Sequence, residues 1–335
     1  MASLRLTAFY LLLLGCTLIG CNDRTETASA PEGAGGAPAA ARTYHVTFSQ
    51  CNNAEPYRAA QNQLMTKLWA QHSDVRFTIL DAQQDDKRQI DQITTAIRQK
   101  PDLLIVAPNQ RTPLTKVMGD AMRAGIPVIC LERDVAEPNY TTYVRCDNYE
   151  IGRLAGELAV AELTKKHGSP KGNIVQIQGL LGVEGERNRD EGANSVWKQH
   201  PEIRVVHRAV ADWVQSKAKD RMVEALNANP QIDVVFGHND PMAIGAYLAA
   251  KDKGREKEMI FIGADGLGGE AGGIKKVADG VLAGTFVYPL CADKAVELGN
   301  RILREPQFVP EKTYTMPSQA VTPANAQALY KELTF

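Results

Sequence analysis

The chain has 335 residues, 44% hydrophobic and 23% charged, with 38 basic against 39 acidic side chains. This is the composition of a soluble globular protein long enough for two cores. A net charge of −1 gives no global field that would favour nucleic acid or an anionic membrane.

Residues 1–20 differ in character from the rest of the chain. Arg5 is the only charge before Asp23, and Leu11 to Leu14 lie in an apolar run that ends at Leu18-Ile19-Gly20-Cys21. A basic start, a short apolar core and small residues at its end predict an export signal, too short to span a bilayer. Leu18-Ile19-Gly20-Cys21 resembles the lipobox of bacterial lipoproteins, which implies cleavage before Cys21 and a lipid on that residue. Residues 21–42 are mostly Ala, Gly, Pro, Thr, Ser and Glu, too polar and small to order themselves. They read as a tether with roughly 25 Å of mean reach.

From Thr43 the pattern alternates. Strands are expected at Tyr44–Phe48, Val75–Leu80, Leu103–Ala107, Ile126–Leu131 and Thr141–Arg145. Helices fall between them at Tyr57–Gln71, Lys87–Gln99 and Pro113–Ala124. The same grammar restarts with a helix at Ile151–Lys166. Strands are then expected at Asn173–Gln178, Ile203–Val210, Asp233–Phe236, Met259–Gly263 and Leu282–Val287. Their helices are Arg187–Gln199, Lys217–Asn227, one after Pro241, one near Gly273–Asp279 and Ala292–Leu303. A strand over Tyr314–Ala320 and a helix over Ala324–Lys331 close the chain. Alternation at this spacing predicts an α/β fold with two sets of five or six parallel strands and helices on both faces. No long linker divides the sets near residue 147, which suggests two lobes, a hinge and a cleft.

In such sheets ligands bind beyond the carboxyl ends of the strands. There the sequence places Ser49, Asn53, Tyr57 and Arg58, then Glu132-Arg133, Arg187, Trp213, Asn239, Asp265 and Tyr288. Asp240 is read as the cap of the helix after Pro241. This set suits a sugar. Aromatic rings cover its C–H faces, carboxylates and amides accept from its hydroxyls, and arginines donate to its oxygens. Four cysteines beyond the signal, Cys51, Cys130, Cys146 and Cys291, have no metal spacing. Export permits disulfides, free buried thiols fit equally well, and no pairing can be read from the sequence.

Beyond these residues, Phe48-Ser49-Gln50, Leu131-Glu132-Arg133, Cys146-Asp147-Asn148, Arg187 with Gly192, Asn239-Asp240 with Met242 to Ala246, and Asp265-Gly266 form a recognisable series. From about Thr43 onward the chain resembles the periplasmic sugar-binding proteins of ABC importers, of the ribose- and galactofuranose-binding type. The resemblance implies two similar doubly wound parallel-sheet lobes joined by a hinge of several crossings. Residues 43–146 with 289–319 would form one lobe, and 147–288 with 320–335 the other. Ser49, Asn53, Tyr57, Arg58, Glu132 and Arg133 would face Arg187, Trp213, Asn239 and Asp265, with Tyr288 at the hinge. The family usually has Asp-Arg where Glu132-Arg133 stands and Gln or Glu where Tyr288 stands, and both departures bear on which sugar fits.

The implied protein is an exported, lipid-anchored monomer without enzyme activity, cofactor, metal or nucleic-acid partner. It would pass a sugar to an ABC permease, or report it to a sensor kinase or chemoreceptor. Three arginines against Glu132, Asp265 and a nearby Glu55 favour a neutral monosaccharide, pentose or hexose, or a cyclic polyol.

Two rival classes fit less well. Gly266-Leu267-Gly268-Gly269-Glu270-Ala271 matches a dinucleotide turn, yet Asp265 before it would repel a pyrophosphate, and the next strand ends in Tyr288. A DNA-binding regulator would need a helix-turn-helix where the signal and tether stand.

Overall fold

The computed structural model describes residues 42–333, so the export signal, the tether and Cys21 lie outside the described residues. The chain begins with β1 (Tyr44–Gln50), α1 (Pro56–Trp69), β2 (Val75–Asp81), α2 (Asp86–Gln99), β3 (Leu103–Val106), α3 (Arg111–Arg123), β4 (Val128–Leu131) and β5 (Thr142–Cys146). It continues through α4 (Asn148–His167), β6 (Gly172–Gln178), α5 (Glu184–Trp197), β7 (Ile203–Val210), α6 (Gln215–Ala228), β8 (Val234–Gly237) and α7 (Asp240–Asp252). Then come β9 (Ile260–Ile262), α8 (Gly273–Ala278), β10 (Thr285–Phe286), α9 (Ala292–Arg304), β11 (Thr313–Met316), β12 (Ala320–Val321) and α10 (Ala326–Leu333).

Two parallel sheets result. One has the order β11-β5-β4-β3-β1-β2, the other β7-β6-β8-β9. Each repeats the same local order, with the second strand outside the first and the third inside it. The winding therefore reverses beside β1 in one sheet and beside β6 in the other, and such reversals open a crevice at the carboxyl strand ends. Both faces of each sheet are covered. Val46, Phe48, Leu103 and Ile105 point into a core with α1 and α9, while Leu104 and Val106 point into a core with α3. In β6, Val175 and Ile177 join one core and Ile174 the other. This period of two is what a strand buried on both faces requires.

Two expectations need correction. The second sheet has four strands, because the left-handed backbone at Asp265 and Gly266 interrupts the ladder there. The segment after it meets β9 and the residues just beyond through isolated parallel bridges, Ile262 to Gly284 and Asp265 to Val287, and β10 pairs antiparallel with β12. The single strand expected over Tyr314–Ala320 is two strands on different sheets. Pro317 lies between them, and without an N–H it cannot continue a ladder.

The chain passes between the two sheets three times, after β5, after β10 and after β11. Helix α9 thereby packs on β3, β4 and α1 of the first sheet. All four cysteines among the described residues are buried free thiols.

Candidate functional site

A small cavity lies between the carboxyl ends of the two sheets. Glu55, Tyr57, Arg58, Glu132 and Arg133 line it from the first sheet. Val183, Gly185, Arg189, Trp213, Asn239 and Asp265 line it from the second, and Tyr288 lies on the crossing after β10.

Local sequence explains the placement. Pro56 opens α1 where no N–H is needed, which sets Tyr57 and Arg58 in the first turn beside the cavity. Glu132 and Arg133 come directly after β4. Asn239 is the cap of α7: its Oδ1 accepts from Met242 N at 2.9 Å, and its Nδ2 donates to the Trp213 carbonyl at 3.2 Å. This corrects the expectation for Asp240, which is the first residue of the helix. The Asp240 carboxylate instead accepts from Thr285 Oγ1 at 2.6 Å and Gly266 N at 2.8 Å, holding the strand ends together.

On the first side, Arg58 Nη1 meets Glu132 Oε2 at 2.5 Å, with both side chains almost fully buried. Burial works to raise the Glu132 pKa, but Arg58, Arg133 and a hydrogen bond from Tyr288 outweigh it and hold the carboxyl below its ordinary range. Tyr288 Oη donates to Glu132 Oε1 at 2.8 Å. Tyr57 Oη donates to the Pro289 carbonyl at 2.8 Å, and the Tyr57 and Tyr288 rings lie 5.0 Å apart.

On the second side, the Arg189 guanidinium lies 4.5 Å from the Tyr288 ring centroid and 5.7 Å from that of Trp213. Its Nε donates to Asn148 Oδ1 at 3.0 Å, its Nη1 donates to the His238 carbonyl, and Asp265 Oδ1 lies 3.8 Å away. Burial pushes the Asp265 carboxyl well above the usual carboxylate range, and Arg189 offsets this only in part. Three lining residues have left-handed backbones: Glu132 at φ 66°, Trp213 at φ 69° and Asp265 at φ 136°. Non-glycine residues persist there only when their surroundings fix them, at about 1–3 kcal/mol each, and such positions cluster at ligand clamps.

Three expected site residues lie elsewhere. Ser49 is fully buried beneath the cavity, where its Oγ accepts from Gln89 Nε2 at 3.2 Å. Asn53 is exposed and accepts from Asn62 Nδ2 at 2.5 Å. Arg187 has a 39% exposed side chain and stands 3.6 Å from Asp134, which also pairs with Arg111 at 2.8 Å. Arg189 occupies the inward position instead. The two differ by about 200° around a helix. A signal for this was present: Gly185, Arg189, Gly192, Ala193 and Val196 keep the helical period of the buried face, and Arg187 does not.

Among the described residues, no group of His, Cys, Asp or Glu could hold a metal, and no helix is long and apolar enough to cross a membrane. A family model described as the periplasmic binding protein domain matches residues 46–290. The chain belongs to this family. It is accordingly a binding protein and not an enzyme. The galactofuranose-binding protein of Escherichia coli is 32% identical over 230 residues, covering 66% of this chain and 71% of that protein. The xylitol-binding protein of Mycolicibacterium smegmatis is 31% identical over 218 residues, covering 65% of this chain and 60% of that protein. Among solved structures, the fructose-binding periplasmic domain of a hybrid two-component system superposes with TM-score 0.81 at 35% identity, covering 86% of this chain and 94% of that one. A galactofuranose-binding protein superposes at 0.80 with 26% identity, covering 87% and 98%. The family and its type I fold are those that the strand-end residues resembled.

Proposed function

We propose that the protein captures a neutral monosaccharide or cyclic polyol in this cavity and delivers it to an ABC importer from outside the cytoplasm. Residues 43–146 with 289–319, and 147–288 with 320–335, act as two lobes that close on the sugar about the three crossings. A lipid on Cys21 and the tether behind it hold the protein at the membrane.

The observation that carries this reading is the cavity's balance of groups. Arg58, Arg133 and Arg189 stand with an equal number of carboxyl groups, those of Glu55, Glu132 and Asp265. The arginines are already engaged, Arg58 by Glu132, Arg133 by the Asn109 carbonyl and Arg189 by Asn148 and His238. Each guanidinium thus already has a protein partner. Arg58 Nε, buried and without a protein partner, still needs an acceptor. A sugar hydroxyl can accept from such a donor and donate to a carboxylate with the same oxygen. The rings of Tyr57, Trp213 and Tyr288 offer apolar surface for C–H faces. The relatives' named ligands, galactofuranose, xylitol and fructose, are also neutral and polyhydroxylated.

A thermal-shift panel of neutral sugars tests the reading. One at about a hundred times its Kd should stabilise the fold by about 2.7 kcal/mol and raise Tm accordingly. A panel in which only amino acids or nucleotides raise Tm would refute it. The likeness to the two-component sensor domain favours a second reading, in which the closed protein reports sugar to a membrane kinase. Stimulation of a reconstituted permease ATPase by the sugar-loaded protein supports the importer, and its absence supports the sensor.

A further inference from the structure

Trp213 is held more tightly than a flat apolar wall requires. Asp212 and Trp213 are consecutive left-handed residues, at φ 51° and φ 69°. The Trp213 carbonyl accepts from Asn239, and the indole fills a slot that exists because residue 179 is glycine. A Cβ at Gly179 would lie 2.2 Å from Trp213 Cζ2 and Cη2. The ring's pose is therefore fixed from two sides. Its Nε1, however, is buried and has no protein partner. The indoles of Trp69 and Trp197 also lack partners; all three rings pack in hydrophobic clusters, but Trp213 alone of the three also lines the cavity. An indole nitrogen can only donate. A buried donor on a residue that lines a ligand site stays unsatisfied unless the ligand supplies an acceptor.

We propose that the Trp213 indole N–H reads one oxygen of the bound sugar and so determines which sugars the cavity accepts. This rests on the proposed sugar function. A phenylalanine in the same slot would cover a C–H face almost as well, so stacking alone does not account for the choice of tryptophan. A site built to hydrogen-bond a ligand group rejects the analogue that lacks it far more strongly than an apolar wall does.

The test uses calorimetry on the wild type and Trp213→Phe. The probes are D-ribose, L-arabinose, D-xylose, D-galactose, D-glucose, D-fructose, xylitol and myo-inositol, then the mono-deoxy derivatives of whichever binds. Wild type should reject one mono-deoxy derivative by at least about tenfold. Trp213→Phe should bind the parent sugar at least about tenfold more weakly and lose its preference at that one position, keeping the others. A variant that keeps the whole pattern, or weakens evenly for parent and every derivative, overturns the proposal. Should the variant fail to fold, the 15N-labelled wild type decides. One of its three indole N–H signals should move on sugar addition while two stay, and movement of none or of all three overturns it. Failure of the wild type to bind any probe instead overturns the sugar reading itself.

Discussion

Asp265 is buried, left-handed and 3.8 Å from Arg189, and burial holds its carboxyl well above the usual range. Asparagine tolerates a positive φ, so Asp265→Asn removes the carboxylate without breaking the backbone. We expect sugar binding at least about tenfold weaker by calorimetry, with the melting temperature of the ligand-free protein unchanged or higher. Normal binding would make Asp265 a structural residue. Glu184 gives a pH test. It accepts from Asn148 at 2.7 Å and Asn188 at 2.7 Å and pairs with Arg145 at 3.0 Å. Burial raises it from 4.5 to about 7, with Arg145 and Asn148 offsetting part of that effect. The folded protein thus holds a proton that the unfolded chain releases. The resulting stabilisation is complete below the ordinary value and is lost as pH rises through the folded one. Glu184→Gln has no proton to lose, so its Tm should gain on wild type from about pH 5 to about pH 8. A flat or reversed difference would contradict this. At this scale the sequence reveals residue types better than directions. Glu132, Asp265 and Trp213 were visible as strand-end residues, but Ser49 turns under the sheet and Arg187 turns outward, because side-chain direction depends on where each element begins.

The helix pair α4 and α5 sets that direction for Arg189. The two backbones nearly touch: a Cβ at Gly192 would lie 2.1 Å from the Tyr149 carbonyl oxygen, and one at Gly152 would lie 2.3 Å from that of Arg189. This approach brings Asn148 of α4 to Arg189 of α5. Gly192→Ala would force the helices apart, at a cost of about 1–3 kcal/mol. Denaturant melts should show that loss, and calorimetry should show weaker sugar binding because Arg189 moves. A variant with full stability would mean that the helices shift freely. Most elements were legible, since buried strands such as Leu103–Val106 and capped helix starts such as those after Asp85 and Asp147 have local causes. The start of α5 was not. Val183 precedes it without a side-chain cap, so its start is marked only by the acidic residues Glu184 and Glu186 in the first turn. The fate of β10 and β12 was hidden too, because a two-residue antiparallel pair depends on segments distant in sequence.

Taken whole, the molecule closes its polar groups away from water. Arg58, Glu132, Arg133 and Asp265 are all at most 5% exposed, although they come from both sheets. A sugar cannot reach them without an opening of the two halves. Small-angle scattering should give a larger radius of gyration for the ligand-free protein than with saturating sugar, and equal radii would contradict hinge closure. The Arg187–Asp134 pair, 3.6 Å across the rim, should form on closing. Mass spectrometry of the membrane fraction should find a chain starting at a lipidated Cys21, and an unprocessed chain from Met1 would remove the anchor. The central claim is that the cavity, with its engaged arginines and balanced carboxylates, is built for an uncharged polyol. Calorimetry of the sugar that binds best against its own uronic acid tests this most directly. The neutral sugar should bind at least about tenfold tighter, a difference of about 1.4 kcal/mol, because an added carboxylate would face the Glu132 carboxylate in a desolvated gap. Tighter binding of the uronic acid, or of a sugar phosphate, would contradict it.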